Sequence, residues 1–310
     1  MGNPLCPVTG EPAVRLVQWV KAGFLRSLWK HIFKVDVRRD FDSVERFGLW
    51  QSSTGLYFFD PMIEGSHEFY QSFYGRLQKS WFRNLPTDLT RDEFLIAARY
   101  VEPGARVLDV GCGFANFRNA VPHAAYVGLD PHFAEGSPIA GVYNQTLRQH
   151  LANHRGFYDV ACSFQVLEHL ASPLEMFADM VRVVRPGGVA IVGVPHHPSA
   201  MTRIPNFLLN APPHHLTWWT EKALTAMATR CGANLVAIER AAWSRQDVLL
   251  YWMERCSPIR CGDIHYRNAW HWHAAAVIGY AAARLAYAMY PMPAAKDEGI
   301  GLVMVARRNA

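Results

Sequence analysis

The segment Val107-Leu108-Asp109-Val110-Gly111-Cys112-Gly113-Phe114-Ala115-Asn116-Phe117 constrains the fold more than any other part of this chain. An apolar run enters a turn carrying two glycines and leaves it in residues of helical character. Glycines at such a tip let the backbone approach a ligand that side chains would exclude. The pattern around it repeats. From residue 105 onward, short apolar runs at 106–110, 125–129, 141–143, 159–163, 189–194 and 235–239 alternate with helical stretches, and 301–306 is a final strand candidate. Such alternation predicts a parallel sheet covered by helices on both faces, and 310 residues are ample to bury its core.

The glycine turn has a second element. Asp130 ends the next strand candidate, where a carboxylate can accept hydrogen bonds from both hydroxyls of a ribose. Together they predict a nucleoside site. A dinucleotide is disfavoured, because Asn116 stands where the third glycine of that fingerprint would fall. Asp109 also places an acid beside the loop, where a pyrophosphate would be repelled and an α-amino group welcomed. S-adenosylmethionine (SAM) carries such a group. An NAD-dependent oxidoreductase and a non-catalytic scaffold on the same fold are the competing readings.

These segments, with Tyr126-Val127-Gly128-Leu129-Asp130, residues 158–170 and Arg185-Pro186-Gly187-Gly188, resemble class I SAM-dependent methyltransferases of the ubiquinone-biosynthesis-like subgroup over about two thirds of the chain. The resemblance implies an α/β fold with a Rossmann-like seven-stranded, mostly parallel sheet. It also implies SAM as cofactor, with Asp109, Gly111 and Gly113 along its methionine part, Asp130 at the ribose, Asn144, Gln145 and Thr146 at the adenine edge, and Gln165 facing the sulfonium. In some relatives, paired Cys-x-x-Cys knuckles bind zinc ahead of the domain. Cys6-Pro7-Val8-Thr9-Gly10 and Gln51-Ser52-Ser53-Thr54-Gly55 keep one of those four thiolates. One thiolate cannot hold a structural zinc, so a metal-free remnant is expected and no metal is assigned.

Methyl transfer from a sulfonium is an in-line displacement whose main demand is alignment. A hydroxyl or ammonium acceptor must also lose a proton, for which histidine is suited near neutrality. His169 follows the fourth strand beside Glu168, His196 and His197 follow the fifth, and His214 and His215 lie in Pro212-Pro213-His214-His215-Leu216. All would project from the carboxyl edge of the sheet, where open α/β folds bind ligands. His169, His214 and His215 are the catalytic candidates.

The remainder divides into an N-terminal helical and aromatic cap (1–90) and a methyltransferase domain (91–310) with a helical insertion at about 243–295 before the last strand. Val17, Val20, Phe24, Leu28 and Ile32 are at helical spacing, opposite Arg15, Arg26, Lys30 and Lys34, which predicts a basic amphipathic helix over 13–35. Leu56-Tyr57-Phe58-Phe59 reads as a strand, and Tyr70, Phe73, Tyr74, Trp81 and Phe82 as a helical region. Six scattered cysteines and no visible secretory leader fit a cytoplasmic location with reduced thiols. The net charge of +5, concentrated between residues 15 and 39, suits a small anionic acceptor such as a saccharide or lipid-linked precursor. Peripheral membrane contact is a weaker expectation. No nucleic-acid motif accompanies the charge, and the oligomeric state is undetermined.

Overall fold

Strand pairing, not helix formation, governs the front of the chain. The computed structural model describes residues 2–77, 91–131, 139–290 and 299–310. In chain order the front part contains β1 (Arg15–Lys21), α1 (Ala22–Leu28), β2 (Arg46–Gln51), β3 (Tyr57–Asp60) and α2 (His67–Leu77). Then follow α3 (Asp92–Ala98), β4 (Arg106–Val110), β5 (Ala125–Leu129), β6 (Val142–Tyr143), α4 (Leu147–His154), β7 (Tyr158–Phe164), α5 (Pro173–Val183) and β8 (Val184–Pro195). The last third holds α6 (Ala200–Arg203), β9 (Thr217–Trp218), α7 (Glu221–Arg230), β10 (Ala233–Arg240), α8 (Arg245–Cys256), α9 (Trp270–Met289) and β11 (Gly301–Arg308).

The expected parallel architecture is present. Seven strands lie in the order β10-β11-β8-β7-β4-β5-β6. Pairs β8-β7, β7-β4, β4-β5 and β5-β6 are parallel, whereas β11 runs antiparallel between β8 and β10. Alternation along the central strands sorts the core into two layers. Leu108, Ala161, Val192 and Met304 pack with Phe177 and Met180 of α5 and Leu224 of α7. Val107, Val160, Ile191 and Val305 pack with Phe94 and Ala97 of α3 and with Phe117. Both faces are therefore covered, and every ligand-facing residue must come from the strand ends.

The helix expected over 13–35 is corrected. Its first half is β1, paired antiparallel with β2, and only Ala22–Leu28 is α-helical, followed by a π-helical turn over Trp29–Phe33. Val17, Trp19 and Val20 suit a half-buried strand, and pairing with β2 satisfies backbone groups that local amphipathicity cannot weigh. The Leu56–Phe59 strand is found as β3, one residue later, and Tyr70, Phe73 and Tyr74 lie on α2. Trp81 and Phe82 lie outside the described residues.

The cap region packs into the rest of the chain. Strand β9 completes the sheet β1-β2-β3-β9, Cys6, Val8 and Phe58 join the core beneath α5 and α7, and Trp29, Phe59 and Phe69 share a second core with Leu208, Trp218 and Tyr266. The insertion is helical as expected, with α8 beginning well before the 273–290 stretch; Ala295, near its end, is outside the described residues. No helix of the described residues is long and apolar enough to cross a membrane. All six cysteines are free thiols.

Candidate functional site

Two of the glycines at the end of β4 have different reasons to be there. A Cβ on Gly111 (φ +72°) would meet Val166 Cγ2 at 2.5 Å, so this position is closed by protein. Around Gly113 (φ +50°) nothing lies within 4 Å of a Cβ, so the outer side of the loop is open to a ligand. The Gly113 N–H donates to Asp130 Oδ2 at 2.9 Å, joining the ends of β4 and β5 into one concave edge.

Asp109 sits beneath that edge, 3% exposed, and accepts a hydrogen bond from the Tyr126 hydroxyl at 2.6 Å. Burial raises its pKa to about 7, against the pull of the Tyr126 and Cys162 hydrogen bonds. The open side of the loop is thus formed by Gly113 and Asp130, with the Asp109 carboxyl buried behind them. Asn144, Gln145 and Thr146 follow β6 on the exposed side. Thr146 caps α4, its hydroxyl accepting from the Gln149 N–H at 3.3 Å, and Gln145 Oε1 pairs with His150 Nδ1 at 3.2 Å. Two of the three expected adenine contacts therefore already serve α4.

At the end of β7, Gln165 adopts a left-handed backbone (φ 58°). This conformation is uncommon outside glycine and is frequently kept at functional sites. The Gln165 backbone N–H donates to Gly193 O at 2.8 Å, and its side-chain amide donates to Glu93 Oε1 at 2.6 Å. Glu93, on α3, is 6% exposed. Its carboxylate occupies space left by Gly301 and Gly193, where added Cβ atoms would lie 2.6 Å from Oε1 and 3.4 Å from Cδ. Burial pushes its pKa up to about 7; Arg91 and the Gln165 amide pull it down, while Asp247 and Asp92 push it up. Glu93 Oε2 has no hydrogen-bond partner.

The three candidate histidines come together. His169 ends the 3-10 turn Leu167–His169 after β7, and His214 and His215 precede β9. The Leu216 N–H donates to Glu168 O at 2.7 Å, which ties the two segments together. Ring centroids are 4.5 Å apart for His169 and His214, 4.9 Å for His169 and His215, and 4.5 Å for the stacked His214 and His215. Phe73 meets His214 edge-on at 4.9 Å, and Tyr70 meets His169 at 6.0 Å. Burial lowers the His169 pKa to about 4, opposed by the carbonyls of His214 and Gln165, and holds His214 and His215 well below the ordinary value. Glu168 is fully buried between them, and desolvation raises its carboxyl to about 8.

Gln165, Glu93, Glu168 and the three histidines line one cavity of about 290 Å³, whose charged rim adds Arg91, Asp92 and Asp247. His196 and His197 do not line it; the His197 ring packs on Tyr57 and Trp218, with centroids 4.2 and 5.4 Å away. Glu93 is not visible as a site residue in the sequence. There it is one of two acids in the first turn of a helix, a position that carboxylates favour for the helix dipole alone. Its burial is set by residues 100 and 208 positions away, Gly193 and Gly301.

A family profile described as a methyltransferase domain matches residues 81–238. The ubiquinone biosynthesis O-methyltransferase of Sodalis glossinidius is 32% identical over 97 residues, which are 27% of this chain and 39% of that protein. An uncharacterized methyltransferase of a Mycobacterium species (strain KMS) is 36% identical over 104 residues, 31% of this chain and 41% of its own length. The chain thus spans about two fifths of the curated relatives that it matches. A solved SAM-dependent methyltransferase from Archaeoglobus fulgidus aligns over 76% of this chain and 99% of its own, at 16% identity and a TM-score of 0.46. The profile extends over just over half of the chain and takes in the glycine turn, Asp130, Glu93, Gln165 and all three cavity histidines, and on that extent the chain belongs to the methyltransferase-domain family.

Proposed function

We propose that this protein transfers a methyl group from SAM to a small-molecule acceptor bound in the cavity beyond Gln165. The observation that carries the reading is the double placement of Gln165. It stands at the carboxyl end of β7, beside the strand whose glycine turn and Asp130 form the open nucleoside edge, and its side chain reaches into the cavity to hold Glu93. SAM is assigned to the concave edge, with its ribose at Asp130, its methionine part along Gly111 and Gly113 over the buried Asp109, and its adenine toward Asn144. The sulfonium then faces Gln165.

In this reading Glu93 removes the acceptor's proton. A base near pKa 7 suits neutral conditions, and the Gln165 amide fixes one oxygen while Oε2 keeps no hydrogen-bond partner of its own. His169, His214 and His215 form the opposite wall. Asp92, Glu93, Glu168 and Asp247 outnumber Arg91 around the cavity, which favours a hydroxyl or amine inside it; an anionic part of the acceptor would lie outside, toward the basic front. The knuckle-like turns read as a metal-free remnant: Ser53 Oγ donates to Glu11 Oε2 at 2.9 Å and Ser52 Oγ pairs with Thr54 Oγ1 at 2.9 Å, so side-chain hydrogen bonds stand where relatives place thiolates.

Calorimetric titration of SAM, S-adenosylhomocysteine and NAD, with Asp130→Ala as control, tests the donor. Saturable binding of the adenosyl compounds that the substitution weakens is expected; binding of NAD alone would overturn the reading.

A further inference from the structure

The wall opposite Glu93 poses a chemical problem that methyl transfer does not answer. The three rings make hydrogen bonds through Nδ1: His169 to the carbonyl of His214 at 2.5 Å, His214 to the carbonyl of Leu209 at 2.9 Å, and His215 to Asn210 Oδ1 at 3.0 Å. Each partner is an oxygen that accepts, so each Nδ1 carries the proton and each Nε2 of a neutral ring holds a lone pair. No group among the described residues donates a hydrogen bond to these Nε2 atoms. Glu168 adds two fully buried carboxyl oxygens without a hydrogen-bond partner, and its Oε1 lies 3.8 Å from His169 Nε2 and 4.0 Å from His215 Nε2. A buried carboxyl group beside ring lone pairs, with no side-chain hydrogen-bond partner, is costly to leave without a counter-ion.

We infer that His169, His214 and His215 form a binding site for a single divalent transition-metal ion of the zinc type, with the Glu168 carboxyl beside it, open to the acceptor cavity. One ring nitrogen from each histidine lies within 4.8 Å of one from each of the others. Ligands about 2.1 Å from a tetrahedral ion stand about 3.4 Å apart, so three ring nitrogens within 4.8 Å of one another reach that spacing with small side-chain movements, and Glu168 Oε1, 3.8 and 4.0 Å from His169 and His215 Nε2, supplies a compensating negative charge beside the ion. Imidazoles whose Nδ1–H is donated to carbonyl or amide oxygens are oriented as metal ligands are, with the tautomer fixed by the outer partner. Imidazole-rich sets suit zinc, iron, cobalt or nickel over magnesium or calcium. All three histidines line the cavity, so the fourth position of a tetrahedral ion would face the space assigned to the acceptor. An acceptor oxygen bound there would lose its proton more readily to Glu93. That role rests on the proposed methyl transfer, whereas ion binding does not. The expectation of a metal-free chain is revised accordingly: a gap of 45 residues separates His169 from His214, and no ligand spacing is visible across it.

The experiment uses the full chain, stripped with a chelator and titrated with Co²⁺ in the absence of SAM. The expected result is one ion per chain, with visible d–d bands of a nitrogen and oxygen site, displaced by Zn²⁺. Affinity should fall about tenfold or more in His169→Gln and in His215→Asn and stay unchanged in His154→Gln, outside the cavity. In the wild-type protein, paramagnetically shifted exchangeable proton resonances from the bound imidazole Nδ1–H groups provide a second readout that needs no variant. Absence of stoichiometric binding in protein folded by circular dichroism would overturn the inference, as would thiolate charge-transfer bands or unshifted imidazole protons. Calorimetry with SAM is scored separately, so a failed donor reading and a failed metal reading are distinguishable.

Discussion

The proposed nucleoside edge and the proposed acceptor cavity lie at the carboxyl ends of the strands of one sheet yet are built in opposite ways. The edge is local: Asp109, Gly111 and Gly113 are within five residues of one another, and Asp130 joins them through a single parallel strand pair and the 2.9 Å bond from the Gly113 N–H. The cavity is assembled from α3, the end of β7, the loop before β9 and the start of β11. The edge needs backbone shape, which glycine encodes where it stands. The cavity needs buried titratable groups, which acquire their character only from distant neighbours. Recognition of a shared donor can therefore be carried by a short motif, while acceptor chemistry is dispersed along the chain.

Three substitutions test that division, beginning with the largest expected effect. Glu93→Gln removes the proposed base and should lower kcat by about 10²–10⁴-fold with a far smaller change in SAM affinity in calorimetry, because Glu93 meets the donor side only through Gln165. In the wild type the rate should climb as pH rises through about 7, as Glu93 loses its proton. The groups facing Glu93 are Arg91, Asp92, Asp247, Gln165 and the coupled Glu168. Loss of that acid limb in Glu93→Gln identifies the base; an unchanged limb assigns it elsewhere.

The same carboxyl makes a stability prediction. Its folded pKa is raised from 4.5 to about 7, so the folded state holds more protons than the unfolded state between those values, and stability falls as pH rises through that window. The full contribution is on the order of 3 kcal/mol. Glu93→Gln should flatten the decline, so that its Tm exceeds the wild type's at pH 8; an equal decline in both proteins would remove Glu93 as its source.

Asp130→Ala should weaken SAM by about 10–100-fold, the loss of charge-assisted hydrogen bonds worth about 1.5–3 kcal/mol, and leave the cavity's charge and shape intact. If acceptor binding falls as much as SAM binding, the two halves are coupled and the division fails. The smallest effect is expected for Thr146→Ala. As the N-cap of α4, Thr146 should contribute about 1 kcal/mol of stability, seen in chemical denaturation. A change in SAM affinity larger than about threefold, with stability unaltered, would return Thr146 to the adenine edge.

Several elements are legible from residue order. The strand candidates at 106–110 and 125–129 match β4 and β5 residue for residue, because short apolar runs between glycine-bearing turns have few alternatives in a parallel sheet. The histidines are legible as a group at the carboxyl edge because strand order places every loop after a parallel strand on that side. Periodicity misleads in the front region. Val17 and Val20 fit a helix by spacing together with Phe24, yet β1 forms over the two valines because β2, itself paired to β3, offers an edge, and spacing carries no information about that edge. Glu93 is illegible for the same reason: a carboxylate in a first helical turn is ordinary until two glycines 100 and 208 residues later make a notch for it.

The order of residues by itself thus determined the parallel sheet, the glycine turn and the acids beside it, because turn conformation and strand alternation are decided within a few residues. Only the tertiary structure decided that Asp109 is covered by Tyr126, that Thr146 serves as a helix cap, and that His169, His214, His215 and Glu168 share one buried wall. Protonation state and ligand-forming geometry depend on desolvation and on which groups approach through space, and these exist only once remote segments have packed.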